Sequence, residues 1–164
     1  MPDDLYTRDI LEWSVQQAAL LRRLAAGERV NAAVDWPHVI EEVADVGRAE
    51  LHACESLLRQ AMVHLLKLHA GEDAPARHWR AEVVGFLADA AQRYTESMRQ
   101  RIELDRIYRR ALHQAREATR AKLADAPANC PWDLPQLLDE AADLDTLLAA
   151  LGPSFPADKN AHRP

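Results

Sequence analysis

The longest regular feature of the sequence is an apolar pattern that runs without interruption from Asp35 to His69. Apolar residues recur there at spacings of three and four, as in an α-helix that is packed along its length. The predicted helix has about 35 residues and extends about 50 Å. Gly47 lies inside it at a cost of about 1 kcal/mol relative to alanine, so we expect either a bend or a closely packed neighbouring backbone or ring. The apolar seam consists of Ile40, Val43, Gly47, Glu50 or Leu51, Cys54, Leu57 or Leu58, Ala61, His64 or Leu65, and Leu68.

Helical patterns also cover most of the remaining chain, and no alternating run of apolar and polar residues indicates a strand. The predicted helices are about 5–26, 35–69, 77–95, 97–122 and 134–151. Two of them begin with capping signals, Ser97 with Gln100 and Asp133 followed by Pro135. The sequence therefore predicts an all-α, up-and-down bundle of four to five helices with one long central helix. We expect a single domain over residues 1–151 and a frayed tail over residues 152–164.

Composition and charge narrow the class of protein. The 164 residues carry a net charge of −6, which does not suit DNA or an anionic membrane. The basic stretch from Arg93 to Lys122 is most simply balanced by the acidic last helix, so nucleic-acid binding is not expected. No signal peptide and no run of about 20 apolar residues is visible. Cys54 and Cys130 match no zinc pattern and imply no disulfide, and we expect a cytoplasmic protein that makes no membrane contact.

Four stretches of the sequence, in this order and spacing, resemble the bacterial family called domain of unknown function 29. The resemblance runs from about Leu5 to Asp139, and it implies a small, cytoplasmic, all-helical bacterial protein with no assigned activity. Trp132 stands where the family often has tyrosine, and Pro135 where it often has glutamate. Both changes are compatible with the same fold, because an aromatic ring remains and proline is tolerated in a first helical turn. The four stretches are Asp35-Trp36 leading into Glu41–Arg48, His64–Lys67, Trp79 in Arg-His-Trp-Arg, and Cys130–Asp139.

His38, Glu42 and Asp45 form the first candidate site, because spacings of four and three place them on one side of the long helix. Imidazole and carboxylate groups bind metals in helical bundles, where Glu-x-x-His motifs from several helices converge. No Glu-x-x-His occurs on this helix. The positive end of the helix dipole also favours carboxylates in a first turn, so a solvated helix face is the preferred interpretation and a metal site the alternative.

Glu50, His64 and Lys67 form the second candidate site, because Glu50 and His64 fall on or beside the apolar seam. A charged group at such a position is rarely buried without a partner. We therefore expect a partly buried polar network that sets the register of the helices. The alternative is a pocket, together with Trp79, in which His64 acts as an acid, a base or a ligand.

No phosphate-binding loop, dinucleotide glycine motif, nucleophile elbow or His-Glu-x-x-His motif is present, and no cofactor is expected. The amphipathic helices favour a non-enzymatic interaction or regulatory module that binds a protein partner or a second copy of itself. The alternative function is a small metal-dependent or acid–base enzyme with its site on the long helix.

Overall fold

The computed structural model describes residues 4–71, 76–119, 123–139 and 141–153. Helices and short turns make up these segments, and no strand occurs in them, so the all-α prediction is confirmed. The predicted tail lies outside the described residues from position 154 onward. The helices are α1 (Leu5–Arg8), α2 (Ile10–Ala25), α3 (Trp36–His69), α4 (Ala76–Arg93), α5 (Leu104–Thr119), α6 (Leu134–Leu138) and α7 (Leu144–Ala149).

Helix α3 is the predicted long helix, and its 34 residues agree with the predicted bounds to within one residue. Cys54, Leu58, Ala61 and Leu65 of its seam have no exposed surface, and Leu57, His64 and Leu68 are partly buried. Gly47 is exposed, and a side chain built at this position would contact no atom within 4 Å. Among the residues that the structure describes, Gly47 therefore has no closely packed neighbour.

The chain packs into two compact units, Met1–Ala49 and Glu50–Pro164. The expectation of one domain over residues 1–151 stays a prediction. In the first unit, the Trp13 indole nitrogen donates to Asp35 Oδ2 at 3.0 Å, and Gln17 Oε1 accepts from the Asp35 amide at 2.9 Å. Trp13, Gln17 and Val34 are buried. These contacts hold α2 against the start of α3.

The second unit contains the main hydrophobic core. Helix α5 contributes one fully apolar face, and its opposite face is charged. Tyr108, Leu58, Met62, Leu65 and Val83 are fully buried. Trp132 closes the core near α6, where its ring meets the Tyr108 ring edge to face and its indole nitrogen donates to the Leu147 carbonyl at 2.9 Å. The other buried core side chains include Leu66, Leu87, Ile107, Leu112, Leu123, Leu137, Leu147 and Leu151.

Three predicted helices differ from the structure. The first is interrupted at Asp9, whose side chain accepts a hydrogen bond from the Glu12 amide and caps α2. The capping box at Ser97 is wrong, because Glu96–Met98 forms a 3-10 turn and α5 begins only at Leu104. Burial of Met98 and Ile102 in the core holds this segment outside a regular helix.

The predicted last helix is interrupted between α6 and α7. Asp133 and Gln136 form the capping box that starts α6. Asp139 and Asp143 then accept hydrogen bonds from the amides of Ala141 and Thr146, respectively. Aspartate side chains that bond to nearby backbone amides compete with the helix, and the chain therefore turns here and starts α7.

None of the helices in the described segments is long and apolar enough to cross a membrane.

Candidate functional site

His38 belongs to an aromatic cluster in the first unit. Its Nδ1 lies 2.7 Å from Asp35 Oδ2, and its ring stacks on Tyr6 with a centroid distance of 4.0 Å. The hydrogen bond to Asp35 raises the pKa of His38, and the same bond lowers the pKa of Asp35. His38 is therefore held by a carboxylate that also accepts a hydrogen bond from Trp13.

The three candidate metal ligands have three separate partners. His38 pairs with Asp35, and Asp45 pairs with Arg48 one turn later. Glu42 accepts a hydrogen bond from the Tyr6 hydroxyl at 2.7 Å, which raises the pKa of Tyr6 to about 12. Within the described segments, no three His, Cys, Asp or Glu side chains are grouped so that they could hold a metal ion. Each of these three side chains is therefore bonded to a nearby side chain of the same unit.

His64 lies in a second cluster, between α3 and α4. Its ring contacts Trp79 and Phe86 at centroid distances of 6.1 and 5.7 Å. Its Nδ1 is 3.2 Å from Glu82 Oε2 without hydrogen-bond geometry, and His78 Nε2 is 3.3 Å from the other oxygen of the same carboxylate. The structure thus places one carboxylate between two imidazoles.

Lys67 joins this cluster, whereas Glu50 does not. Lys67 Nζ lies 5.3 Å from the centroid of the Trp79 ring, which is cation–π distance. Glu50 is half exposed and pairs with Arg93 at 3.1 Å. It lies fourteen residues before His64, about 21 Å along the helix. The structure therefore brings together His64, Lys67 and Trp79 and leaves Glu50 apart.

Glu82 and His78 were not among the residues singled out from the sequence. They are four residues apart on α4, a spacing that places two side chains on neighbouring turns. That spacing was the only signal available, since their approach to His64 depends on how α4 is rotated against α3.

Burial is the main reason that the pKa of His64 is lowered, and the nearby Lys67 and His78 act in the same direction against Glu82. Burial also lowers the pKa of His69. Both imidazoles are therefore neutral at pH 7. His64 is therefore a neutral imidazole between two aromatic rings, and the polar network predicted for Glu50 and His64 stays a prediction.

We expect the second unit to lose stability as the pH falls below about 6.5. The unfolded chain binds protons at His64 and His69 near the ordinary pKa of 6.5, and the folded chain binds them only at lower pH. Acid therefore favours the unfolded state from about pH 6.5 down to the folded pKa values. Urea unfolding between pH 7 and pH 5 measures this loss.

The double variant His64→Gln/His69→Gln should flatten that pH dependence, whereas His113→Gln, at an exposed position, should leave it unchanged. An unaltered slope in the double variant would contradict the assignment. His38 acts in the opposite direction, because its raised pKa stabilises the first unit at low pH and this stabilisation is lost as the pH rises.

Neither cysteine has the environment of a reactive thiol. Cys54 and Cys130 are unpaired. Burial raises the pKa of both thiols, that of Cys130 to about 11. A thiol that stays protonated at neutral pH is a poor nucleophile.

Two stripes of exposed apolar side chains lie on the first unit. The α3 stripe consists of Ile40, Val43 and Val46, which are 64%, 70% and 68% exposed. The α2 stripe consists of Leu11 and Val15, which are 72% and 57% exposed.

Helical geometry explains why both stripes face solvent. Leu11 and Val15 are two residues before and after the buried Trp13, and at about 100° per residue they lie on the opposite side of α2. Ile40 and Val43 are likewise on the side of α3 opposite to His38. Leu58, about five turns after Ile40, lies on the same side of α3 as Ile40. The α3 stripe is therefore the exposed part of the seam that is buried from Cys54 onward.

The comparisons with known proteins agree with this fold. A crystal structure of an alpha-helical protein of unknown function from Rhodospirillum rubrum ATCC 11170 is similar, with a TM-score of 0.69 and 34% sequence identity over 90% of this chain and 98% of the other. No curated protein matches the sequence significantly. The model of the family described as domain of unknown function DUF29 matches residues 5–142. The chain therefore belongs to the DUF29 family, as its sequence motifs indicated.

Proposed function

We propose that this protein is a non-enzymatic interaction module, and that its first unit docks against the first unit of a second copy of the same chain. The proposal rests on how the exposed large apolar side chains are distributed along the chain. Of the eight such side chains in the described segments, seven lie between positions 10 and 46. They are Ile10, Leu11, Val15, Trp36, Ile40, Val43 and Val46, and the eighth is Val84 on α4.

The first unit exposes an unusual number of large apolar side chains. Their exposed fractions range from 36% for Trp36 to 72% for Leu11. Grouped apolar side chains on a protein surface mark binding sites more often than scattered ones do. The group on α3 is a surface against which another helix can pack.

A second copy of the chain is the occupant that covers the α3 stripe. The α2 and α3 stripes lie on helix faces that point away from the packed interior of the unit, so they are on opposite sides of it. In a two-fold dimer, the same surface of both copies is in contact. The α3 stripe of one copy packs against the α3 stripe of the other, and the arrangement closes after two chains.

Gly47 supports a close contact at the α3 stripe. It lies one residue after Val46 and has no neighbour within 4 Å of a built side chain. Glycine inside an exposed helix costs about 1 kcal/mol. A second helix that approaches α3 at this position would use the space that the missing side chain leaves.

The mass in solution tests the proposal. We expect sedimentation or light scattering to give twice the 18.4 kDa chain mass for the wild type. Val43→Asp should weaken association at least about 30-fold, because it buries a charge in the centre of the interface. Val84→Asp, the same substitution at the exposed valine of α4, should leave the dimer intact.

Two outcomes would overturn the proposal: a wild type that stays monomeric at high micromolar concentration, and a dimer that Val43→Asp does not weaken. Circular dichroism of Val43→Asp should match the wild type, since Val43 is 70% exposed. Leu11→Asp, on the opposite side of the unit, is a second control and should leave the dimer intact.

The alternative function, a metal-dependent or acid–base enzyme with its site on α3, has less support. Glu42, Asp45 and Glu50 each have their own partner. Elemental analysis of untagged protein distinguishes the two functions, because a stoichiometric transition metal would favour the enzyme.

We also propose that the protein works in the bacterial cytoplasm. The free thiols of Cys54 and Cys130 suit a reducing compartment, and the similar crystal structure comes from a bacterium.

A further inference from the structure

A basic cavity lies between α3 and α5, within the second unit. Its volume is about 250 Å³. Arg59 on α3 and Arg106 and Arg110 on α5 line it, together with the buried Ile107. His52, Glu55 and Ser56 on α3 complete the lining.

Helical spacing explains why these side chains converge. His52, Ser56 and Arg59 are separated by four and three residues, so they lie above one another on one face of α3. Arg106 and Arg110 are four residues apart on α5. Arg59 Nη1 donates to Gln114 Oε1 of α5 at 2.7 Å, which joins the two helices at this cavity.

The positive charge of the cavity is only partly compensated. The lining carries three guanidinium groups and one carboxylate, which together have a net charge of 3 − 1 = +2. Glu55, the one carboxylate, pairs with Arg106 Nη2 at 2.7 Å. Arg59 is bonded to a neutral amide. Arg110 has no hydrogen bond or ion pair within the described segments.

Arg106 also lies near a second carboxylate. Its Nε is buried without a hydrogen-bond acceptor among the described residues, and Glu103 Oε2 is 3.8 Å from it. This atom is closed off from the cavity, so it is not a donor for an anion. The donors that the cavity offers are the other N–H groups of its arginines, above all those of Arg110.

We propose that this cavity binds a compact anion that bears a phosphoryl group. Guanidinium groups match phosphate oxygens through paired N–H donors. A tetrahedral phosphoryl group has more acceptor oxygens than a carboxylate, and here three arginines and the Ser56 hydroxyl line one cavity. The negative charge of Glu55 repels the anion, but its ion pair with Arg106 holds that guanidinium in position.

A small molecule suits the cavity better than a nucleic acid. The volume is close to the lower end of small-molecule sites, which begin at about 300 Å³. Among the described residues, no Phe, Tyr or Trp side chain lines the cavity, so it lacks the large aromatic rings on which successive bases stack.

Calorimetric titration with inorganic pyrophosphate tests the proposal on the full-length protein. Sodium chloride keeps the ionic strength constant, and succinate is the carboxylate comparison. We expect saturable binding of pyrophosphate that is at least tenfold tighter than that of succinate. Arg110→Gln and Arg59→Gln should each weaken pyrophosphate binding at least tenfold.

Arg109→Gln is the matched control, because Arg109 is an exposed neighbour on α5 that does not line the cavity. The Arg109→Gln variant should bind pyrophosphate with an affinity within twofold of that of the wild type. Val43→Asp should also bind pyrophosphate as tightly as the wild type, so that the result does not depend on the proposed dimer.

The proposal is overturned if the wild type shows no saturable binding of pyrophosphate, if succinate binds as tightly as pyrophosphate, or if Arg110→Gln and Arg109→Gln bind pyrophosphate equally well. Arg110 is exposed and has no hydrogen bond or ion pair to another described residue, so Arg110→Gln should keep the thermal midpoint of the unliganded wild type.

Discussion

Val83→Asp should destabilise the protein by about 3–5 kcal/mol, which is much of the stability of a typical domain. Val83 has no exposed surface and belongs to the core of the second unit. An aspartate there must be either ionised without a partner or protonated at neutral pH, and both states are unfavourable in an apolar core. Urea unfolding followed by circular dichroism at 222 nm measures the loss.

Val84→Asp is the matched control, at the next position of the same helix. Val84 is 60% exposed, so its carboxylate stays in water and the expected change is within about 0.5 kcal/mol. Valine and aspartate have similar helix propensities, so propensity changes little at either site. Equal losses in the two variants would mean that α4 does not present its Val83 side to the core.

The fold was predictable wherever local chemistry determines it. The three-and-four spacing from Ile40 to Leu68 is enough to place α3, because only a helix keeps these residues on one side. Asp133 and Pro135 likewise indicate the start of α6. Tertiary burial determines the region around Met98 and Ile102 instead, and neither residue signals by itself that the chain leaves the helical path there.

The candidate sites were less predictable because they depend on how helices are rotated against one another. His64 and Lys67 are three residues apart on one helix, so their proximity follows from the sequence. Glu82 reaches His64 only through the register between α3 and α4. The arginines of α5 were visible as a basic stretch, but their convergence with Arg59 required the structure.

The extent of the exposed seam was also hidden from the sequence. Ile40, Val43, Cys54 and Leu58 belong to one apolar pattern, yet the first two are exposed and the last two are buried. A periodic pattern shows which side of a helix is apolar and does not show where the covering helices end. The α3 stripe is therefore exposed to solvent, although its apolar pattern predicts that it is buried.

Trp132→Ala should cost about 3–5 kcal/mol, the other large effect that we expect. Trp132 is only 4% exposed and connects three segments that are distant in sequence. Its ring contacts Tyr108 of α5, and its indole nitrogen bonds to the Leu147 carbonyl of α7. It also directly precedes Asp133, which caps α6. Truncation therefore leaves a cavity and releases α7 from its hydrogen bond. Urea unfolding of the purified variant measures the loss.

Two further variants separate the ring from its hydrogen bond. Trp132→Phe keeps an aromatic ring but leaves the Leu147 carbonyl without its donor, at a cost of about 1–3 kcal/mol. Tyr108→Phe keeps the edge-to-face contact and removes a buried hydroxyl that has no partner among the described residues, so stability should be unchanged or slightly higher. If Trp132→Ala cost less than about 1 kcal/mol, the ring would not hold the segment between α5 and α7 against the core. A marked loss in Tyr108→Phe would instead show that the hydroxyl is bonded in solution.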